Sequence, residues 1–154
     1  MGLVDDRLSA SGLQVPEPPA ALGDYVPARR VGDLVFTSGQ LPSVDGTLLA
    51  VGRVGDDVTL ETAQACAQAC ALNALAAAST VCDLDRVSAV VKVVGYVSSA
   101  GDFNQQPAVI NAASGVMTAA FGEAGKHARE AVGVAALPAG APVEVSVILQ
   151  LDGE

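Results

Sequence analysis

Four polar side chains stand at the ends of predicted strands, in surroundings that are otherwise apolar. They are Tyr25, Ser38, Arg129 and Glu144. An arginine at the mouth of an apolar strand offers a planar fork of N–H groups, which suits bidentate binding of a carboxylate. The serine and the tyrosine could each give a hydroxyl to the same ligand. The leading hypothesis is therefore a site for a small carboxylate.

Each of these residues also has a simpler interpretation. Arg129 could lie on the surface at a sheet edge, or pair with Glu144 and only stabilise the sheet. Ser38 could cap a turn, and Tyr25 could pack in the core. Next to apolar walls the pKa of Glu144 would rise, which suits a proton shuttle or a group that orients water. Asn111 lies among apolar residues of a predicted helix and, if buried, needs a hydrogen-bond partner.

The elements that must position these side chains follow from the hydrophobic pattern. It predicts an N-terminal helix and a proline-rich linker over residues 1–21, and one domain over residues 22–151. The last strand has the clearest pattern, because apolar residues occupy every second position. The predicted elements of the domain are strands at 25–31, 33–38 and near 47–51, a helix at 59–80, a strand at 87–98, a helix at 103–121, and strands at 129–135 and 143–151.

This order of elements predicts an α+β fold, a two-layer mixed sheet with two helices on one face. The strand at 87–98 is expected to direct one set of residues to a common face: Val87, Ala89, Val91, Val93 and Val97. The other face of the sheet must be covered, and a second subunit is the simplest cover. A chain that is 51% hydrophobic but only 3% aromatic also favours a homo-oligomer.

Charge and composition exclude several classes of partner. The formal net charge is −9, and the eight lysines and arginines are scattered along the chain. Such a field repels nucleic acid and anionic membrane surfaces, so neither is expected as a partner. The sequence has no secretory leader pattern and no apolar run of membrane-spanning length. Together with an odd number of cysteines, this predicts a cytoplasmic protein with reduced thiols.

The sequence offers little for a metal or a cofactor. Cys66 and Cys70 lie four residues apart on a helix, without the CxxC spacing of zinc sites, so we interpret them as packing residues. The glycines match neither a phosphate loop nor a dinucleotide fingerprint. Ser38 lies in Thr-Ser-Gly-Gln and His127 is the only histidine, which disfavours a serine nucleophile. We expect no metal and no nucleotide cofactor.

Three separated stretches resemble the YjgF/RidA family, whose members are often labelled reactive-intermediate deaminases or L-PSP endoribonucleases. The stretches are Gly23-Asp24-Tyr25 with Val31-Gly32-Asp33-Leu34-Val35-Phe36-Thr37-Ser38-Gly39-Gln40-Leu41-Pro42, then Ala128-Arg129, then Leu137-Pro138 with Val143-Glu144-Val145. The resemblance covers roughly residues 22–151. It implies a chorismate-mutase-like fold that assembles as a homotrimer, with a pocket at each subunit boundary.

The resemblance also implies a chemistry. In the deaminase members the arginine that matches Arg129 binds the carboxylate of an enamine or imine, and water then releases ammonia and a 2-keto acid. The residues that match Tyr25, Ser38, Asn111 and Glu144 line that pocket. The alternative is a protein that binds small carboxylates or keto acids without turning them over. An RNase is disfavoured by the pI of 4.3 and the single histidine.

The chain departs from the family pattern just after the arginine. Glu130 stands where the family usually has Ser or Thr, Ala131 where it often has Cys, and Gly133 where it usually has Glu. The segment Gln105-Gln106-Pro107-Ala108 adds length before Asn111. These differences predict a divergent branch in which the pocket survives and its substrate has changed.

Overall fold

The computed structural model describes residues 2–153, and it confirms the predicted α+β architecture. Two long helices pack on one face of a five-stranded mixed sheet. The elements are α1 (Leu3–Ala10), β1 (Ala28–Val31), β2 (Leu34–Thr37), β3 (Ser43–Val44), β4 (Thr47–Leu48), α2 (Leu60–Ser79), β5 (Val87–Ser98), α3 (Gln106–Phe121), β6 (Ala128–Val134) and β7 (Val143–Leu151).

The strand order decides where the candidate residues lie. The large sheet has the order β1-β2-β7-β5-β6, while β3 and β4 form a separate small hairpin. Only β5 and β6 run parallel, and the other neighbours in the large sheet are antiparallel. Arg129 therefore lies on an edge strand, whereas Glu144 begins the central strand β7.

Local sequence signals account for the helix boundaries. Thr59 caps α2 by accepting a hydrogen bond from the backbone N–H of Thr62 at 3.2 Å. Pro107 occupies the first turn of α3, where its missing N–H has no helical partner to lose. Gly122 ends α3 with a φ of 60°, a conformation that favours glycine. Strands β1 and β2 form an antiparallel hairpin, and Gly32 in its turn has a positive φ of 59°.

The face of β5 differs from the prediction. Val93 and Val97 are fully buried against the helices as expected, but Val91 is 38% exposed and Val90 is buried instead. The register of β5 on β7 shifts between Val87 and Ala89 and again between Val90 and Lys92. Each irregularity changes which residues point toward the helices, so a strict period of two fails in the first half of this strand.

The N-terminal helix packs against the body of the protein. Val4 and Leu8 of α1 are buried, and α1 contacts α3. The carboxylate of Asp85 accepts hydrogen bonds from the N–H groups of Leu3 and Val4, both at 2.9 Å, at the N-terminus of the helix. None of the helices in residues 2–153 has the length and apolar character needed to cross a membrane.

The sheet face that points away from α2 and α3 carries exposed apolar side chains. Leu34, Phe36 and Val132 are each at least 36% exposed, and the strand register places them on this face together with Ile148. An exposed apolar sheet face of this kind is typical of an interaction surface. Cover by a second subunit remains the prediction for it.

The cysteines are expected to be dispensable. Cys66 and Cys70 are buried in the helix–sheet interface, and burial raises the pKa of the Cys66 thiol to about 11, which makes it a poor metal ligand at neutral pH. Replacing both with alanine should cost up to about 1 kcal/mol of folding free energy per site. Thermal denaturation with zinc analysis checks this. Stoichiometric zinc that disappears in the double variant would show that the thiols bind metal.

Candidate functional site

The structure brings Arg129 and Asn111 together. The Nη1 group of Arg129 donates hydrogen bonds to Asn111 Oδ1 at 2.8 Å and to Ser114 Oγ at 3.2 Å. Its Nη2 group lies 3.5 Å from the carbonyl oxygen of Pro107. All three acceptors belong to α3, so the side chain of Arg129 reaches from the edge strand to the helix. Asn111 is exposed rather than buried, and it finds its partner within the chain.

These contacts leave one edge of the guanidinium available. Both hydrogens of Nη1 are used, one by Asn111 and one by Ser114. Within residues 2–153, Nε has no hydrogen-bond partner, and Nη2 has only the long contact with Pro107. The Nε–Nη2 edge presents two parallel N–H groups, the geometry that a carboxylate accepts. Arg129 is half-buried, so a ligand on this edge would be partly shielded from water.

Ser114 and His127 extend this network, and neither was predicted from the sequence as a site residue. Ser114 Oγ lies 2.9 Å from His127 Nε2, and His127 Nδ1 lies 2.6 Å from the carbonyl oxygen of Gly125. A carbonyl oxygen only accepts, so Nδ1 carries a hydrogen. A signal for Ser114 was present: it follows Asn111 by three residues and therefore shares its helical face.

Glu144 belongs to a second group of residues, near the end of β2. Gln40 and Val145 exchange two backbone hydrogen bonds, at 2.8 and 3.0 Å, which hold the segment after β2 against the start of β7. Gly39 then lies beside the Glu144 carboxyl, because a Cβ on Gly39 would come within 2.7 Å of Glu144 Cδ. Glu144 is half-buried, and its burial raises the pKa of the carboxyl.

A cleft of about 1110 Å³ opens beside Glu144. Its walls come from the proline-rich linker, the middle of α2, the β3–β4 hairpin and the segment after β2, and they include Tyr25 and Gln40. Tyr25 is 51% exposed and lies in a loop, since β1 begins only at Ala28. The hydroxyl of Ser38 donates to the carbonyl oxygen of Val26 at 2.7 Å, so Ser38 holds the loop that carries Tyr25.

The two groups of residues lie on opposite faces of the sheet. Arg129 pairs with Val93, and Val93 pairs with Val147, so Arg129 shares their helix-facing side. Glu144 alternates with the buried Val143 and Val145 and therefore begins on the other side. Strand β5 also separates them. Within residues 2–153 no ion pair joins Arg129 to Glu144, so the purely structural pairing of these two residues is not found inside one chain.

Two of the departures from the family pattern, Glu130 and Gly133, have local explanations. Glu130 forms an exposed ion pair with Lys92 at 2.8 Å. Gly133 leaves space for Gln106, whose amide lies 2.9 Å from where a Cβ would stand. That amide donates to Ser99 Oγ and to the carbonyl oxygen of Phe103. The added segment before Asn111 therefore fills the volume that a larger residue at position 133 would occupy.

The described residues do not form a metal centre. No group of three or more His, Cys, Asp or Glu side chains in residues 2–153 is arranged to hold a metal ion. The Arg129 network and the Glu144 cleft offer hydrogen bonds, a positive charge and one carboxyl group. Such a set can bind a carboxylate and exchange a proton with water.

Replacing Glu144 with glutamine should stabilise the protein at neutral pH and not in acid. The pKa of this carboxyl is higher in the folded protein than in the unfolded chain. The free energy of unfolding therefore falls as the pH rises through the folded-state pKa, because burial opposes ionisation. Below about pH 4, the ordinary value for glutamate, both states are protonated and the difference disappears. The gain at pH 7.5 should stay below about 1 kcal/mol, since solvent screens a half-exposed group. Melting curves at pH 3.5 and 7.5 test this, and equal gains at both would contradict it.

Comparison with known proteins decides the family. The family described as "YjgF/chorismate_mutase-like, putative endoribonuclease" matches residues 5–150 of the chain. The chain belongs to the YjgF/RidA family. This confirms both the resemblance and the chorismate-mutase-like fold that it implied. Protein TCP17 of Trypanosoma cruzi is 40% identical over 153 residues, which cover 98% of this chain and 96% of that protein.

Solved structures of other members of the YjgF/RidA family show the same fold. The crystal structure of Atu1372 from Agrobacterium tumefaciens, a protein of unknown function, is 39% identical and has a TM-score of 0.89, covering 97% of this chain and 93% of that one. RidA from the Antarctic bacterium Psychrobacter is 30% identical with a TM-score of 0.61, covering 88% and 94%. The chain is thus structurally nearer to Atu1372 than to this RidA.

Proposed function

We propose that this protein hydrolyses small enamine or imine carboxylic acids to 2-keto acids and ammonia, in pockets at subunit boundaries. The observation that carries the proposal is the available Nε–Nη2 edge of Arg129. Asn111 and Ser114 occupy the other nitrogen, so the guanidinium is held in place and still has two parallel donors to offer. A 2-imino acid presents a carboxylate next to its reactive carbon, so this contact would also fix the carbon for attack.

The reaction needs a proton carrier, and Glu144 suits that role. Water adds to the imine carbon, and the C–N bond then breaks to leave a keto group and ammonia. Glu144 would carry one proton from the attacking water to the imine nitrogen. It would then carry the proton of the new hydroxyl group to the same nitrogen, so that ammonia leaves as the keto group forms. A half-buried carboxyl whose pKa is raised by burial can both accept and donate these protons. The enzyme would thus be a hydrolase acting on C=N bonds without a cofactor.

Within one chain the Arg129 group and the Glu144 group are too far apart in the fold to act on one ligand, whereas a homotrimer could bring them together across a subunit boundary. Arg129 and Asn111 lie at the β6 edge, while Tyr25 and Glu144 lie near the junction of β2 and β7. If the exposed apolar sheet face packs against a neighbouring subunit, the Arg129 group of one chain could face the Glu144 group of the next. Carboxylate binding and proton transfer would then be divided between two subunits.

The protein should therefore sediment as a trimer. Burying the apolar side chains of the open sheet face, Leu34 and Phe36 among them, would stabilise the assembly. Sedimentation equilibrium at micromolar concentration checks the mass, and Phe36→Asp should shift it toward the monomer while leaving the helix-facing core intact. A monomeric wild-type protein under these conditions would contradict the trimer and, with it, a site shared between subunits.

The direct assay is ammonia release from iminopyruvate generated by an amino-acid-oxidising enzyme. The protein should accelerate the release, and Glu144→Gln should abolish most of the acceleration.

A second function, binding of small keto acids without turnover, is favoured by the changed segment after Arg129, where the side chain of Gln106 packs against Gly133. Binding of 2-ketobutyrate with no acceleration of ammonia release would select that second function.

A further inference from the structure

We infer that Ser114 and His127 are positioning residues that hold Arg129 so that its Nε–Nη2 edge faces a ligand. The inference rests on the proposed function in so far as the ligand is a small carboxylate. Its basis is a continuous series of hydrogen bonds, from the Gly125 carbonyl oxygen through His127 and Ser114 to Arg129 Nη1, with lengths of 2.6, 2.9 and 3.2 Å.

With a neutral imidazole ring, the first member of this series sets the direction of the other bonds. The Gly125 carbonyl oxygen can only accept, so His127 donates from Nδ1. In the neutral ring Nε2 then accepts, and the hydroxyl of Ser114 donates to it. The lone pairs of Ser114 Oγ remain for Arg129 Nη1. The carbonyl oxygen of Gly125, acting through His127, thus keeps Ser114 Oγ oriented as an acceptor for the guanidinium of Arg129.

Thr118 shows what a hydroxyl on this helix does without such a partner. Its Oγ1 donates back to the helix, to the carbonyl oxygens of Ser114 and Gly115 at 3.4 and 3.2 Å. This is the usual behaviour of serine and threonine inside helices. Without His127, the Ser114 hydroxyl should turn in the same way. Arg129 Nη1 would then lose a fixed acceptor, and the guanidinium could rotate about its Nε–Cζ bond.

The carbonyl that begins the series is itself rigidly placed. Gly125 is buried, and a Cβ there would overlap the backbone of Met117 and Thr118. The short turn that contains Gly125 therefore packs directly on α3. Gly125 packs on α3 and Ser114 belongs to it, so the spacing of these two members of the series is set by the backbone.

A serine beside a histidine also raises the question of a nucleophile. Ser114 lies in the middle of α3, where the backbone N–H groups are occupied by the helix. No free pair of N–H groups is then available to stabilise an oxyanion. Ser114 also accepts a hydrogen bond from Arg129. These features assign it to positioning rather than to covalent catalysis.

Nuclear magnetic resonance of the trimer or monomer tests this without any ligand. His127 is the only histidine in the chain, so its ring nitrogens give one set of signals. We expect the Nδ1–H tautomer, and slow rotation of the Arg129 guanidinium, which resolves separate Nη signals. In Ser114→Ala and in His127→Ala these separate signals should merge into one. In Ser114→Thr, which keeps a hydroxyl group at this position, they should stay separate. Thr118→Ala, which removes a hydroxyl one turn away, is the matched control and should change neither.

Titration with 2-ketobutyrate supplies the second readout. Ser114→Ala and His127→Ala should each raise the Kd about 10-fold, the upper range for one lost hydrogen bond, with melting temperatures close to wild type. If the wild type and both variants bind equally well, the positioning role fails and the proposed function stands. If the wild type binds no keto acid but the Arg129 signals still depend on Ser114 and His127, the proposed function fails and the positioning stands. Labelling of Ser114 by a fluorophosphonate would overturn the assignment.

Discussion

Replacing Arg129 with alanine is expected to weaken binding of 2-ketobutyrate by about 2–5 kcal/mol, the range for truncating one member of a desolvated charge pair. The substitution removes both parallel N–H donors of the Nε–Nη2 edge and leaves the ligand carboxylate without a cation. It also frees Asn111 and Ser114, which lose hydrogen bonds of 2.8 and 3.2 Å. Both are accessible enough to bond with water, so the effect on folding should be small.

Two further variants make this result specific. Arg129→Lys should rescue binding poorly, because an ammonium group cannot reproduce the planar fork. Arg86→Ala removes the same charge at an exposed ion pair with Asp152 and should leave the affinity unchanged. Calorimetric titration gives the affinities and melting curves give the stabilities. An unaltered affinity in a trimeric Arg129→Ala protein would rule out the carboxylate site.

Replacing Gly125 with alanine should be the most destabilising small substitution in the network. The added Cβ would overlap the backbone of Met117, which cannot move without displacing α3. Overpacking of this kind costs about 1–3 kcal/mol, and we expect the upper end because the obstacle is backbone. The shift should also move the Gly125 carbonyl away from His127. Ligand binding should therefore weaken in the fraction that remains folded.

Gly115→Ala is the matched control for this substitution. Gly115 lies inside α3, with nothing within 4 Å of where its Cβ would stand. Alanine there should stabilise the helix by about 0.5–1 kcal/mol, because glycine loses more conformational entropy on folding. Chemical denaturation of both variants gives the comparison. A Gly125→Ala protein as stable as wild type would show that the turn can move away from α3.

The sequence predicted most of the elements because their patterns are regular. In β7, Val143, Val145, Val147 and Leu149 alternate with more exposed residues, and each is buried as expected. In α2 the apolar stripe extends over several turns, and Thr59 caps the helix. Patterns of this length average out local exceptions, so fold class and helix positions follow from them directly.

The arrangement of the site could not be predicted in the same way. The two register shifts in β5 depend on how this strand pairs with β7, and no residue type in β5 predicts them. Whether Arg129 and Glu144 meet depends on strand order, which placed β5 between them and put them on opposite faces. The contact between Ser114 and His127 joins a helix to a turn 13 residues later. Contacts between residues of different elements depend on how the elements pack, and the local sequence pattern predicts them only weakly.

A crystal structure with bound 2-ketobutyrate would test the central claim most directly. The account predicts a trimer in which the ligand carboxylate accepts two hydrogen bonds from Nε and Nη2 of Arg129, while Asn111 and Ser114 keep their contacts with Nη1. The keto group should then face the Glu144 of the partner subunit. Ligand bound only in the cleft beside Glu144 of a single chain, with Nε of Arg129 unoccupied, would contradict the account.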